Sequence, residues 1–249
     1  MLPATRAVPK ALLPIVDRPV VELVIEELAA AGIERFVLVA GRDAAAVRAH
    51  FAGDGAVDVV VQPEPRGLGD AVAWGAESID GPIAVAVGDA LVDITLMPRL
   101  IDGFVHSGAA AVVAVERVAP DRVGRYGIIA PAGDGDPIPV AGIVEKPAPA
   151  DSPSNLAVAG RYVLGAGGVA AVLRSTPPGH AGEVQLTDAI ARLCRDGGRV
   201  VAVPLGPGER RLDVGDPEGY AGAFLERALA DARFGARLRE RLRTDGAPG

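Results

Sequence analysis

The chain has 249 residues, a formal net charge of −7 and a pI near 5.1, and 49% of its residues are hydrophobic. This acidic balance disfavours a sequence-independent grip on nucleic acid, which needs clustered Lys and Arg. No apolar stretch is long enough for a spanning helix, and the single cysteine excludes an internal disulfide framework. We therefore expect a cytoplasmic protein with neither nucleic acid nor a membrane as its partner.

The first half of the chain alternates between helical patterns and short apolar runs. Helices are predicted at 19–31, 43–52, 67–79 and 94–107, and strands at 34–41, 57–62, 81–89 and 109–116. The first helix has Pro19 at its entry and Gly32 as its stop. The run at 81–89 is continuously apolar, which predicts a strand covered on both faces. This order predicts an α/β layer with a mixed, mostly parallel sheet flanked by helices.

The second half of the chain has a different pattern. Residues 120–165 form strand-like segments separated by turns, which predicts a strand-rich insertion with antiparallel or mixed pairing. A helix at about 184–196, a strand at 199–206 and one long closing helix over roughly 216–243 follow. We find no linker long enough for two independent domains, so residues 1–249 are expected to form one. The arginine-rich end of the last helix is best explained as a solvated face, with a subunit contact as the alternative.

Two aspartates follow extended segments and are candidate metal ligands. Asp89 comes where the apolar run at 81–89 ends, and ligands of open α/β sheets bind outside the carboxyl ends of strands. A helix N-cap or a turn is the simpler explanation of Asp89 taken alone. Asp213 lacks an obvious capping role, whereas Asp216 before Pro217 is typical of a helix N-cap. Two such carboxylates suit Mg²⁺, which takes few protein carboxylates and leaves room for phosphate oxygens.

Two further segments carry polar residues at strand ends. Glu145 and Lys146 are adjacent, and a loop or bulge would let both enter one cavity, although a solvent-facing ion pair explains them equally well. Gln62 is followed by Gly67 and Gly69 in "QPEPRGLGDA". An amide can pair with a nucleobase edge, and glycines allow close approach to the backbone, but a plain turn is the alternative.

Taken together, these pieces resemble the bacterial UTP–glucose-1-phosphate uridylyltransferases. The motifs that carry the resemblance are "MLPATRAVPKALLPIVDRP", "QPEPRGLGDA", "RYGIIAP", "VEKP", "PSNLAVAGRYVL" and "TPPGHAGEVQLTDAIARL". The resemblance extends to about residue 243 and implies a Rossmann-like nucleotidyltransferase fold. It also implies Mg²⁺-dependent in-line attack of glucose 1-phosphate on the α-phosphorus of UTP, giving UDP-glucose and pyrophosphate.

The resemblance also implies roles for individual residues. Lys10 and Lys146 would be the catalytic residues, with Lys10 on the phosphates. Asp89 and Asp213 would hold Mg²⁺. The uracil would lie against Gln62 and Gly67, and the glucose and its phosphate against Gly127, Glu145 and Lys146, with Glu183 near the sugar. A homo-oligomer is expected.

Three departures from the family pattern limit these expectations. Asp70 replaces a usual histidine, and Gly88 replaces a usual proline, as in related thymidylyltransferases. The family's first strand and glycine-rich loop, which precede "MLPAT", are missing. We therefore expect weak activity or none from these 249 residues, with recovery when that segment is restored. The alternatives are a non-catalytic sugar-nucleotide-binding paralogue and a thymidylyltransferase of the same fold.

Overall fold

The computed structural model describes residues 4–6, 8–42, 44–165 and 169–245. Its helices are α1 Val20–Ala30, α2 Ala44–His50, α3 Leu68–Ala76, α4 Leu96–Ser107, α5 Val169–Ser175, α6 Leu186–Arg195, α7 Pro217–Ala230 and α8 Gly235–Asp245. Its strands are β1 Pro14–Ile15, β2 Arg18–Pro19, β3 Phe36–Ala40, β4 Val57–Val61, β5 Ile83–Ala86, β6 Ala90–Val92, β7 Ala111–Arg117, β8 Gly127–Pro131, β9 Ile138–Glu145, β10 Leu156–Leu164, β11 Val200–Pro204 and β12 Arg211–Asp213.

Helix α1 forms where the sequence predicts it. Pro19 is the residue before its first turn, and Gly32 follows its last turn with φ of +85°, a conformation that glycine adopts without steric cost. Val20, Val24 and Leu28 are buried and face the core. The predicted start of the second helix at residue 43 lies outside the described residues.

The core is built around a six-stranded sheet with the order β5-β10-β7-β11-β9-β8. Alternate residues of β7 point to opposite faces. Val112 and Ala114 pack into one apolar cluster with α1 and α4, whereas Val113 and Val115 pack into another with α3 and α6. Helices therefore cover both faces of the sheet, which confirms the α/β class.

Strand directions in this sheet are mixed, as expected, but neighbouring strands are mostly antiparallel. Strand β11 runs parallel to β7, and β10 runs antiparallel to both β5 and β7. Strands β5, β7 and β11 therefore share one direction, as the alternation of helices and strands predicts. The long strand β10 comes from the insertion at 120–165 and lies between β5 and β7, so parallel pairing is less common than the sequence predicted.

The predicted strand at 81–89 is shorter in the structure and lies at a sheet edge. Strand β5 is the edge strand of the six-stranded sheet, and its residues are half-buried. Both of its faces are covered, as expected, because Ala84 and Ala86 pack against one core cluster and Ile83 and Val85 pack against the other. The chain then turns at Gly88 and Asp89 into β6, which pairs antiparallel with β12. This ribbon brings residues near 89 beside residues near 213.

The expected single closing helix is divided into α7 and α8. Asp231 has an extended conformation, with φ of −63° and ψ of 126°, and this ends α7. Its carboxylate accepts hydrogen bonds from the backbone and side chain of Arg233, a local alternative to helical hydrogen bonding. Asp216 caps α7 as predicted, because its carboxylate accepts from the Gly219 N–H at 2.8 Å. That residues 1–249 form one domain stays a prediction.

Candidate active site

Asp89 lies in the turn between β5 and β6, so the helix-cap alternative is wrong. The backbone carbonyl of Asp89 accepts a hydrogen bond from the Val214 N–H at 2.8 Å, which ties this turn to the end of β12. Its carboxylate accepts a hydrogen bond from Lys10 Nζ at 2.8 Å. The lysine that the sequence resemblance singled out therefore lies at the same carboxylate, 79 residues away in the chain.

Asp213 ends β12 and lies opposite Ala90 in the ribbon. It has a local role that the sequence did not indicate, because its Oδ1 accepts from the Gly215 N–H at 2.7 Å. Arg211 forms an ion pair with it. This guanidinium lies 3.4 Å from Asp213 Oδ2, donates to Glu116 at 2.5 Å and lies over the Tyr126 ring at 4.8 Å.

The surroundings of Arg211 keep its guanidinium protonated. Burial lowers the pKa of its guanidinium, but the carboxylate of Glu116 outweighs this and holds the pKa above its ordinary value. Arg211 is therefore a fixed cation beside Asp213, and both side chains line the cavity. Tyr126 adds a cation–π contact to the same side chain.

A left-handed residue brings Glu145 and Lys146 to the same cavity. Neighbours on a strand point to opposite faces, but Lys146 follows β9 with φ of +46°. This backbone conformation is uncommon and strained for a non-glycine residue. Glu145 Oε2 accepts from the Thr187 hydroxyl at 2.7 Å, so the carboxylate is held in one orientation.

Gly127 leaves the space that Glu145 occupies. A Cβ at this position would lie 2.6 Å from Thr187 Cγ2 and 3.1 Å from Glu145 Oε2. Any side chain at Gly127 would therefore displace the Thr187–Glu145 pair.

Five of the sequence-predicted residues line one cavity of about 360 Å³. They are Asp89, Gly127, Glu145, Lys146 and Asp213. Lys10 reaches the cavity through its ion pair with Asp89. The two aspartates and the Glu145–Lys146 pair thus converge, although Asp213 lies 124 positions after Asp89 and Glu145 lies 56 positions after Asp89.

The predicted base-binding residues form an adjacent group that does not line this cavity. Gln62 Nε2 donates to Asp70 Oδ2 at 2.7 Å and to the Gly67 carbonyl at 3.3 Å. Gly67 has φ of +103°, and a Cβ there would lie 2.7 Å from the Val184 carbonyl, so only glycine fits. Glu183 accepts from Gln185 Nε2 at 3.1 Å, and Gln185 itself lines the cavity.

Sequence reasoning missed six polar residues that line the cavity, namely Arg125, Tyr126, Tyr162, Gln185, Thr187 and Arg211. Gln185 and Thr187 belong to the quoted "GEVQLTDA" motif, which was the available signal. Burial raises the pKa of the Tyr162 hydroxyl above its usual range, and Glu145 adds to this effect. The hydroxyl therefore stays neutral and can donate a hydrogen bond.

The donor chemistry of the cavity fits a divalent cation. Asp89 immediately precedes β6 and Asp213 ends β12, so both hard oxygen donors lie at the same end of one ribbon. Mg²⁺ commonly takes one or two carboxylates together with substrate phosphates. In the part of the chain that the structure describes, no three His, Cys, Asp or Glu side chains gather tightly enough to hold a metal alone. Such a cation would therefore need oxygen ligands from a substrate or from water.

Comparisons with known proteins identify the family of the chain. The family model described as nucleotidyl transferase matches residues 1–228. The chain belongs to this family of nucleotidyl transferases.

Its similarity within the family is to the UTP–glucose-1-phosphate uridylyltransferases, which confirms the resemblance predicted from the sequence. The enzyme of that name from Streptococcus pneumoniae serotype 4 (strain ATCC BAA-334 / TIGR4) is 36% identical over 261 residues, covering 92% of this chain and 86% of that protein. A UTP–glucose-1-phosphate uridylyltransferase 2 from Streptococcus pyogenes serotype M1 is 36% identical over 265 residues, with the same coverage of 92% and 86%.

Solved structures show the same relationship. A crystal structure of a UDP-glucose pyrophosphorylase complexed with UDP-glucose has a TM-score of 0.85 and 30% identity, and covers 93% of this chain and 94% of that chain. A UTP-bound enzyme of this kind from Acinetobacter baumannii has a TM-score of 0.84 and 33% identity, and covers 97% and 93%. These similarities confirm the nucleotidyltransferase fold expected from the sequence.

Proposed function

We propose that this chain is a UTP–glucose-1-phosphate uridylyltransferase, which joins UTP and glucose 1-phosphate to give UDP-glucose and pyrophosphate. The observation that carries the proposal is the convergence of Asp89, Asp213 and Lys146 on one cavity. The relatives that carry this activity in their names are similar over nearly the whole chain. Both findings favour a transferase over a non-catalytic paralogue.

The proposed reaction is an in-line displacement at phosphorus. An oxygen of the sugar phosphate forms a bond to the α-phosphorus of UTP, while the bond from that phosphorus to its bridging oxygen breaks and pyrophosphate leaves. Catalysis of this kind depends on positioning and on neutralising negative charge, without a covalent enzyme intermediate.

The phosphates are proposed to lie at the Asp89 end of the cavity. Lys10 and Lys146 would bind phosphate oxygens, and Asp89 and Asp213 would hold Mg²⁺. When bound there, Mg²⁺ would supply positive charge beside those oxygens. The ion pair between Lys10 and Asp89 supports this assignment, because it fixes an ammonium group beside the proposed metal ligand.

The sugar and base are proposed to lie on either side of the phosphates. Glu145 would accept hydrogen bonds from glucose hydroxyls in the orientation set by Thr187. Gly127 would leave room for Glu145 to face the sugar, and Tyr162 would remain a neutral hydrogen-bond donor. Glu183, which accepts a hydrogen bond from the cavity residue Gln185, would lie near the sugar. Gln62 and Gly67 would face the uracil.

A pyrophosphate-release assay tests this function. Pyrophosphate release should require UTP, glucose 1-phosphate and Mg²⁺ together. Replacement of UTP by dTTP should lower it. Higher release with dTTP would favour the thymidylyltransferase alternative, and calorimetric binding of UDP-glucose without any release would favour the non-catalytic one.

The quaternary state and location are proposed on the sequence alone. We propose a homo-oligomer that works in the cytoplasm, and sedimentation analysis of the purified chain tests the first of these. In the described ranges, no helix has both the length and the apolar character needed to cross a membrane.

A further inference from the structure

A buried ion pair lies directly behind the turn that carries Asp89. Arg161 on β10 is fully buried, and Glu27 on α1 is 2% exposed. The pair is bidentate, with Arg161 Nε at 2.8 Å from Glu27 Oε1 and Nη2 at 2.7 Å from Oε2. These residues are 134 positions apart in the chain.

The other donors of Arg161 are directed at the backbone around Asp89. Nη2 donates to the Ala90 carbonyl at 2.8 Å, and Nη1 donates to the Val87 carbonyl at 3.2 Å. One guanidinium therefore bonds to the backbone on both sides of the Gly88–Asp89 turn. Nη1 also donates to the carbonyl of Gly160 at 3.2 Å.

The strand β10 is shaped to let this turn approach. Gly160 has φ of +78° and lies where the pairing of β10 with β7 shifts register. A Cβ on Gly160 would lie 3.3 Å from the Cβ of Val87. The Val87 N–H donates to the Gly160 carbonyl at 3.0 Å, so the turn is attached directly to the strand that carries Arg161.

The free-energy balance of a buried ion pair favours a positioning role for Arg161 and Glu27 over a stabilising one. Desolvation of two buried charges offsets most of their attraction, and a well-packed apolar pair of similar volume is often equally stable or more so. An apolar pair, however, has no donors for the carbonyls of Val87 and Ala90. What the ion pair adds is a set of directional hydrogen bonds to the Asp89 turn.

We infer that Arg161, oriented by Glu27, is a positioning residue that fixes the backbone of residues 87–90 and so aims the Asp89 carboxylate into the cavity. This inference rests on the role proposed above for Asp89. It gives Arg161, in the segment "AGRYVL", a role in addition to sheet formation. Arg161 touches neither substrate nor metal in this account and acts only through the backbone beside Asp89.

The decisive variant replaces both members of the pair, Glu27→Leu with Arg161→Met, so that no unpaired charge is left buried. Glu27→Gln is the second variant, since an amide can still accept from Arg161 and leaves its bonds to the carbonyls in place. Glu26→Gln is the matched control, because Glu26 lies on the same helix in an exposed pair with Arg18. Thermal melting selects conditions under which each variant is folded.

Two readouts separate positioning from general stability. Hydrogen exchange of the peptide spanning residues 87–92 should be faster in the double variant, with other core peptides unchanged. Mn²⁺ affinity, measured by electron paramagnetic resonance, should fall roughly 10–100-fold, as for the loss of groups that orient a metal ligand. Glu27→Gln should show a smaller loss, and Glu26→Gln should match the wild type.

Unchanged Mn²⁺ affinity in a folded double variant would overturn the inference, whatever the exchange rates. Weaker Mn²⁺ binding with wild-type exchange at 87–92 would also overturn it, because the effect would not pass through the turn. A wild-type chain that binds no Mn²⁺ would overturn it as well. If the wild type binds Mn²⁺ but not UDP-glucose, the proposed function is wrong. The Mn²⁺ affinities of the variants still test the role of Arg161 in that case.

Discussion

At the scale of single residues, two acceptors hold the amide of Gln62 in one orientation. The Asp70 carboxylate and the Gly67 carbonyl can only accept hydrogen bonds, so the Gln62 NH₂ group must face them. The Gln62 oxygen is then the atom of this amide that can accept a hydrogen bond. In the proposed contact between Gln62 and the base, this acceptor would favour uracil or thymine, which carry an N3–H donor, over cytosine, whose N3 is an acceptor.

Asp70→Asn should therefore weaken base discrimination, because asparagine can accept or donate and no longer fixes Gln62. The ratio of UDP-glucose to CDP-glucose affinity, measured by calorimetry, should fall roughly 3- to 10-fold, the value of about one net hydrogen bond. Glu77→Gln is the control, since it is the same type of change in an exposed pair with Arg174. An unchanged ratio would show that Asp70 does not orient the base contact.

Residue-level contacts of this kind were only partly predictable from the sequence. The types of residue at Asp89, Asp213 and Lys146 indicated phosphate and metal chemistry, since each follows an extended segment. The contacts of Lys10 with Asp89 and of Arg161 with Glu27 were not derivable. They join residues 79 and 134 positions apart, and no local pattern encodes such distances.

At the scale of elements, Glu209 connects the β11–β12 segment to α4. Its carboxylate accepts from Thr95 Oγ1 at 2.6 Å, from Arg99 at 2.7 Å and from the Gly206 N–H at 2.5 Å. Burial raises the pKa of this carboxyl, but these hydrogen bonds outweigh burial and hold the pKa below its ordinary value of 4.5. The stabilisation is present above pH 4.5 and is lost as the pH falls through the lowered pKa.

Glu209→Gln should therefore lower the free energy of unfolding by about 1–3 kcal/mol at neutral pH. The difference from the wild type should shrink as the pH falls below the ordinary value of 4.5, because the unfolded wild-type chain binds a proton at this carboxyl before the folded protein does. Urea titrations at several pH values measure this difference. A difference that does not depend on pH would rule out the ionised carboxylate as its source.

Element positions were the most predictable part of the fold. Hydrophobic periodicity and turn residues located α1, β4 and β7 closely, because both signals are local. The break between α7 and α8 was missed although Gly235 marks it, because a Cβ on Gly235 would clash with the Leu229 carbonyl. The side-chain contact of Asp231 with Arg233 is the second feature of this break, and a hydrophobic pattern does not indicate it. The β6–β12 ribbon was missed because each strand is only three residues long and is defined by its pairing with a distant segment of the chain.

At the scale of the whole molecule, the site depends on segments from every part of the chain. The ribbon of β6 and β12 brings Asp89 beside Asp213, β9 delivers Glu145 and Lys146, and the start of α6 supplies Thr187. The α/β class followed from the sequence, but the placement of β10 between β5 and β7 did not. Insertion of a strand into a sheet depends on tertiary packing, which a one-dimensional pattern does not specify.

The central claim is that Asp89 and Asp213 together make the cavity bind a nucleotide sugar through a divalent cation. The most direct measurement is calorimetric titration of UDP-glucose into the wild type, Asp89→Asn and Asp213→Asn, each with Mg²⁺ and again with EDTA. Mg²⁺ should strengthen wild-type binding, and each variant should lose roughly 10-fold or more of that gain, as expected for one contact to a charged group. If both variants keep the full Mg²⁺-dependent gain, these two carboxylates do not hold the cation and the account is wrong.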